Sequence, residues 1–191
     1  MQNRYSNNEP YAPAEDTYFL EDNLVNEKGK HALDIGTGSG YLTRILSRNF
    51  LQVIGTDIDF DSLINQNKKI KNCICCDAAE ALNCKFDLIV CNMPYLQSDE
   101  ILDRKVDGGK EGIEVPLKII KSAVKCLNDS GKLLFVTSSL SNYEKLIEES
   151  KKLGLDLKIV ARKKLFFEEL LIVQASKSHE SNDFVNSNLR L

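Results

Sequence analysis

Two short segments of the chain put chemically useful residues side by side. Asn92-Met93-Pro94-Tyr95 closes an apolar run, FDLIVC. The nitrogen of a primary amide is a poor nucleophile because its lone pair is delocalised into the carbonyl, so it must be held in place to react. Asn92 can accept one N–H through its side-chain oxygen, and the backbone carbonyl of Met93 can accept the other. Pro94 stiffens the turn. Tyr95 supplies a flat wall for a planar amide or base. The second segment, LDIGTGSG, sets Gly36, Gly38 and Gly40 at alternate positions behind Asp34. Such glycines let a backbone bend sharply and approach a ligand closely.

A dinucleotide fingerprint would read G-x-G-x-x-G, with glycines set for a pyrophosphate. Here the spacing is G-x-G-x-G and an acid precedes it. An acid repels a pyrophosphate and attracts an ammonium group. The expected ligand therefore carries positive charge near this loop, as S-adenosylmethionine does at its amino group and its sulfonium. Asp57 ends the next apolar run, about twenty residues on, where a carboxylate can accept from both hydroxyls of a ribose. Asp77 ends the third, placed to accept from an adenine amino group while Ala78 offers its backbone N–H to the ring. Asp34, Gly36, Thr37, Gly38, Gly40, Asp57, Ile58, Asp77, Ala78 and Asn92 form the expected cofactor set. Singly, each feature has a plainer meaning: an acid at a strand end is usually a helix cap, and NMPY alone reads as a strand-to-loop turn with Tyr95 in the core. Their succession on consecutive strand ends points to a site.

The elements that must carry these residues follow from periodicity. Residues 1–12 read as a flexible arm, and Pro13 opens a helix over 14–26 with acids at its front. HALDI, LQVIGTD, CICC and FDLIVCN are apolar runs of strand length. The segments 41–49 and 60–70 between them read as helices. From Leu96 to about Lys110 no period is visible. This segment is either a lid hinged at Gly108-Gly109 or a mobile solvated loop. A helix is expected over 113–127, a turn at NDSG, a strand over 131–139, and a helix capped by Ser141 with Glu144 and stopped by Gly154. LDLKIVAR and LFFEELLIVQA then form a hairpin. Strands alternating with helices give an α/β doubly wound, mostly parallel seven-stranded sheet with an antiparallel edge strand. Residues 1–175 make one domain, and 176–191 read as a polar, disordered tail.

The chain has 191 residues and a net charge of −3, so nothing in its overall charge calls for nucleic acid. Arg104, Lys105 and Lys110 are balanced by Asp103, Asp107 and Glu111. No apolar run approaches the roughly 20 residues that span a bilayer. The polar N-terminus lacks a signal-peptide core, so a cytoplasmic protein is expected. Cys73-x-x-Cys76 has no second pair, so the six cysteines read as small buried residues rather than as a metal site.

On these motifs the chain resembles the HemK-type class I methyltransferases, and within them the eukaryotic and archaeal release-factor glutamine methyltransferases. YAPAEDTYFL resembles that subfamily's opening segment. LDIGTGSG, GTDID, NMPY and DGGKEG follow in its order over about residues 9 to 175. The resemblance implies methyl transfer to the amide nitrogen of the glutamine in the Gly-Gly-Gln motif of a class I translation termination factor. It implies that Thr17 lies against the cofactor, that Asp34, Gly36 and Gly38 hold its methionine end, Asp57 its ribose and Asp77 its adenine, and that Asn92, Met93 and Tyr95 hold the glutamine. It also implies a small zinc-binding activator subunit over an apolar sheet edge, and some members have been linked to lysine methylation. Met93 departs from the family's usual proline. It keeps the carbonyl and loses rigidity, so a softer loop is expected. Two rivals remain: a nucleic-acid adenine or cytosine amino-methyltransferase, which shares the N-P-P-Y pattern, and a non-catalytic cofactor-binding scaffold.

Overall fold

The apolar runs pair into one seven-stranded sheet in a computed structural model that describes residues 12–66 and 71–178. The strands are β1 (Gly29–Ile35), β2 (Phe50–Asp57), β3 (Cys73–Cys75), β4 (Phe86–Asn92), β7 (Leu127–Ser138), β8 (Leu155–Lys164) and β9 (Glu169–Lys177), in the order β3-β2-β1-β4-β7-β9-β8. Strands β3, β2, β1, β4 and β7 run parallel, while β9 runs against both neighbours. The expected antiparallel strand is therefore β9, and it lies one place in from the edge, which β8 occupies.

Both faces are covered, and residues alternate between them with the period of two that strands impose. Leu33, Ile35, Ile89, Cys91, Leu133, Phe135, Val173 and Ala175 point into one core, with Ile120 of α4 (Glu114–Cys126) and Leu146 of α5 (Tyr143–Lys151). Ala32, Leu88, Val90, Leu134, Val136, Leu170 and Ile172 point into the other, with Leu20 of α1 (Glu15–Asp22) and Leu42 of α2 (Tyr41–Leu46). A short α3 (Phe60–Ile64) lies between β2 and β3. The end of the helix expected over 60–70, most of the arm over 1–12 and the tail beyond Ser178 lie outside the described residues. Strand β9 runs through Lys177, past the expected tail boundary.

Several local expectations are corrected. NDSG is a bulge inside β7, between the pairs Phe86–Leu127 and Leu88–Lys132. Asn128 Nδ2 donates to Asp87 there, and Asp87 Oδ2 also accepts from the backbone N–H of Lys30 and of His31. The cap of α5 is Asn142, whose side chain accepts from the Lys145 N–H. The hydroxyl of Ser141 instead donates to the Ser138 carbonyl at 2.9 Å. The segment after Leu96 is not featureless: β5 (Leu96–Gln97) pairs in parallel with β6 (Asp107–Gly109). Gly108 and Gly109 are packed rather than free to swing, since a Cβ on Gly108 would lie 2.7 Å from the Gly112 carbonyl oxygen. Of the cysteines only Cys91 and Cys126 are buried, and Cys75 and Cys84 are exposed. No group of three metal-ligating side chains occurs among the described residues.

Candidate active site

Because β1, β2, β3 and β4 run parallel, their carboxyl ends deliver Gly36, Asp57, Asp77 and Asn92 to one edge, where doubly wound sheets bind ligands. A cleft of about 1470 Å³ opens there, larger than one small ligand needs. Thr17, Gly36, Thr37, Gly38, Asp57, Ile58, Asp77, Ala78, Asn92, Met93, Pro94 and Tyr95 all line it. Of the residues expected at the site, only Asp34 and Gly40 do not.

The turn between β1 and α2 explains the alternating glycines: Gly36, Gly38 and Gly40 have φ of 72°, 49° and 74°, in the left-handed region that a Cβ disfavours. The Gly36 and Thr37 N–H groups both donate to the Thr56 carbonyl, at 2.8 and 2.9 Å. Gln66 Nε2 donates to the Gly38 carbonyl at 2.6 Å, so the turn that follows α3 buttresses the loop from outside. A Cβ built on Gly36 would meet nothing within 4 Å, which leaves that backbone open to the cleft.

Asp34 lies beneath the loop rather than in the cleft. It is 1% exposed, and its Oδ2 accepts from the Thr43 hydroxyl at 2.7 Å, which in turn lies 2.7 Å from that of Thr37. Burial raises its pKa from 3.8 to about 6 despite the threonine hydrogen bonds. A raised carboxyl keeps its proton in the folded chain when the unfolded chain has already lost it. Stability therefore falls as pH rises from the ordinary value of 3.8 to about 6. Asp34→Asn should abolish that decline. Denaturant unfolding of both proteins across this range should show the wild type losing about 3 kcal/mol relative to the variant. Parallel pH profiles would contradict the assignment.

Asp57 reaches the cleft with both oxygens engaged from the protein side. Oδ2 accepts from the Gly38 N–H at 2.8 Å and Oδ1 from the Asp59 N–H at 2.9 Å. Each oxygen keeps a lone pair, and burial raises this carboxyl too. Asp77 forms an ion pair with Lys118 of α4, a cation that periodicity alone gave no reason to place at this edge. Beside it Ala78 has a φ of 47°, rare for a residue with a Cβ.

At the end of β4, Asn92 Nδ2 donates to the Thr17 hydroxyl at 3.1 Å. Its Oδ1 is buried and has no hydrogen-bond partner among the described residues. Met93 is 2% exposed and continues the Ile89, Cys91 alternation into the core. Its side chain thus anchors the turn by packing, which offsets the softness expected from the missing proline ring. Tyr95 is half-buried against the opposite core. Asp16 and Glu168 also line the cleft and were not foreseen. Glu168 accepts from the Ser138 hydroxyl at the end of β7. The only sequence signal for either was its place beside a motif or a strand end.

Residues 14–167 match the family model described as the methyltransferase small domain. A protein of Methanocaldococcus jannaschii, provisionally named a protein N5-glutamine methyltransferase, is 34% identical over 180 residues, covering 87% of this chain and 91% of its own. The release factor glutamine methyltransferase of Agrobacterium fabrum is 30% identical over 155 residues, covering 66% of this chain and 51% of its own. Among solved structures, the E. cuniculi Mtq2–Trm112 complex, responsible for methylation of the eRF1 translation termination factor, superposes with a TM-score of 0.76. That match is 26% identical and covers 88% of this chain and 98% of the other.

Proposed function

The chain belongs to the methyltransferase small domain family, and we propose that it transfers a methyl group from S-adenosylmethionine to the side-chain amide nitrogen of a glutamine in a translation termination factor. The observation that carries this reading is the Asn92 Oδ1, a buried acceptor without a partner among the described residues, on a residue that lines a cleft with room for more than one small ligand. Leaving such an atom unsatisfied costs about 1–3 kcal/mol, so it is kept for a donor that arrives with the substrate. A primary amide is such a donor.

The fit to the cofactor rests on this chain's own groups. The open backbone at Gly36 admits close approach. The two Asp57 oxygens keep lone pairs for paired hydroxyls, and Asp77 with Lys118 sets an acceptor beside a cation where an adenine edge would lie. Asp34 acts through the loop, by fixing Thr43 and Thr37 from below. When bound, S-adenosylmethionine supplies a methyl group on an electron-poor sulfonium. Asn92 Oδ1 accepts one N–H of the glutamine amide, the Met93 carbonyl accepts the other, and Tyr95 walls the amide plane. Holding both N–H groups aims the nitrogen, and positioning of this kind accounts for most of the rate. A histidine base is unnecessary, because the amide proton becomes acidic once the methyl has added.

The relatives' partners extend the proposal. The Mtq2 structure was solved with Trm112, and here β3 forms one edge of the sheet with the exposed Phe60 and Ile64 of α3 nearby. We assign that edge to a small activator subunit and the chain to the cytoplasm, where its substrate works. No helix among the described residues is long and apolar enough to cross a membrane. The test is transfer of labelled methyl from S-adenosylmethionine to a termination factor carrying Gly-Gly-Gln, with and without the activator. Label is expected on the wild-type factor and lost when the glutamine is replaced by alanine. Label that persists on the alanine variant, or appears on nucleic acid instead, overturns the reading.

A further inference from the structure

Residues at the front of α1 make contacts that bear on how the amide of Asn92 comes to face the cleft. Asp16 and Thr17 are both buried, 8% and 5% exposed, although both stand in the first turn of the helix. The Thr17 hydroxyl donates to Asp16 Oδ1 at 3.2 Å, and the Thr17 backbone N–H donates to the same oxygen at 2.6 Å. The hydroxyl proton is thereby committed. What the Thr17 oxygen has left are two lone pairs: one accepts from the Ala14 backbone N–H at 3.5 Å, in the cap of the helix, and the other from Asn92 Nδ2 at 3.1 Å.

We propose that Asp16 and Thr17 form a one-way hydrogen-bond relay that sets the orientation of the Asn92 amide and so keeps its Oδ1 turned to the substrate. The two ends of a side-chain amide are nearly equal in size and shape, so packing alone cannot tell them apart. Only the polarity of their partners can. A carboxylate oxygen accepts, and Asp16 Oδ1 takes both the backbone N–H and the hydroxyl of Thr17. A half-turn of the Asn92 amide would set its oxygen against the Thr17 oxygen with no proton between them, and would present N–H groups to a substrate that also brings N–H groups. Thr17 is thus a positioning residue acting through Asn92, in addition to any contact it makes with the cofactor. This inference rests on the glutamine reading above for its catalytic consequence, but the orientation itself does not.

Two variants test it in the full chain with its activator. Thr17→Val removes the hydroxyl and keeps the shape, and Thr17→Ser restores the hydroxyl. Thr17→Val should lower kcat about tenfold, the scale of one hydrogen bond. The fall in kcat should exceed any loss of S-adenosylmethionine affinity, measured by calorimetry, because the relay acts on the substrate side of the cleft. Thr17→Ser should recover most of kcat. Asp16→Asn keeps the Thr17 hydroxyl but frees its polarity, and should resemble Thr17→Val. In an Asn92→Ala background Thr17→Val should cost nothing further, because the relay then has nothing to orient. A second readout does not depend on turnover. In protein carrying nitrogen-15 asparagine, the Asn92 side-chain NH2, assigned through its loss in Asn92→Ala, should exchange slowly in the wild type and in Thr17→Ser, and quickly in Thr17→Val and Asp16→Asn. If the amide exchanges equally in all four proteins, the relay is wrong, whatever the enzyme methylates. If Thr17→Val weakens cofactor binding as much as it lowers kcat, or costs the same without Asn92, Thr17 acts on the cofactor and the relay is likewise overturned. Slow exchange lost in Thr17→Val together with no transfer to glutamine would leave the relay standing and sink the substrate assignment alone.

Discussion

Gly112→Ala is expected to lower kcat by at least about a hundredfold, the cost of misplacing a reacting group by roughly 1 Å. A Cβ at this position would lie 2.2 Å from the carbonyl oxygen of Tyr95 and 2.7 Å from the Ser141 Cβ. Neither neighbour can give way cheaply. The Tyr95 oxygen is backbone, and the buried Ser141 is held by its hydroxyl on the Ser138 carbonyl. The segment around Gly112 is pinned as well: the Asn142 N–H donates to the Glu111 carbonyl at 2.9 Å, and Lys145 pairs with the Glu111 carboxylate at 2.7 Å. The methyl group therefore pushes on Tyr95, which lines the cleft and is the wall of the proposed substrate site. Gly112 also has a φ of 70°, which adds a conformational cost. Gly154→Ala separates the two effects. Its φ is 77°, but a Cβ there meets nothing within 4 Å. That variant should lose about 1 kcal/mol of stability and keep its activity. Steady-state kinetics and thermal unfolding of both variants make the comparison. Wild-type kcat in Gly112→Ala would show that the DGGKEG segment does not brace the site.

The second large effect is at Asn92. Asn92→Ala removes the acceptor on which the substrate reading rests, and kcat should fall by about 10²–10³, as when one preorganised hydrogen-bonding group is deleted from an active site. Cofactor affinity should change far less than kcat, because Asp57, Asp77 and the glycine turn are untouched. Asn92→Asp is the sharper variant. It keeps oxygens toward the cleft but cannot donate to the Thr17 hydroxyl, and it puts a second carboxylate near Asp16. It should be nearly as impaired as Asn92→Ala despite being almost the same size. Activity within tenfold of wild type in either variant would remove Asn92 from the chemistry.

The sheet and most of the lining of the candidate cleft were legible because both depend on local pattern. Apolar runs ending in Gly36, Asp57, Asp77 and Asn92 fix which residues share an edge once the strands run parallel. The position of β9 could also have been read. LDLKIVARKK alternates exposed and half-buried residues, whereas ELLIVQASK holds an unbroken apolar run, the mark of a strand covered on both faces. Other features depended on distant neighbours. NDSG has the composition of a turn, and only its pairing with β4 makes it a bulge. Ser141 sits one residue too early to cap α5 and is spent on Ser138. Lys118 meets Asp77 across 41 residues, and Asn92 meets Thr17 across 75. Asp34 was expected to face the ligand and lies beneath the loop instead: a carboxylate before a glycine turn reads the same in sequence whether it faces the ligand or supports the loop.

The place of β9 inside the sheet has a consequence for how the protein is made. On a ribosome β9 emerges after the other six strands of its sheet, yet it fills the gap between β7 and β8. Until residues 170–177 are free of the exit tunnel, β7 keeps an open edge and β8 has no partner. Leu170, Leu171, Ile172 and Val173, at most 1% exposed in the finished fold, are then still missing from both cores. Open strand edges are templates for pairing with other chains. Synthesis and folding are therefore coupled through a single late segment: a nascent chain that stalls before it is incomplete in its interior, not merely shortened at one end, and is an open target for chaperones and proteases.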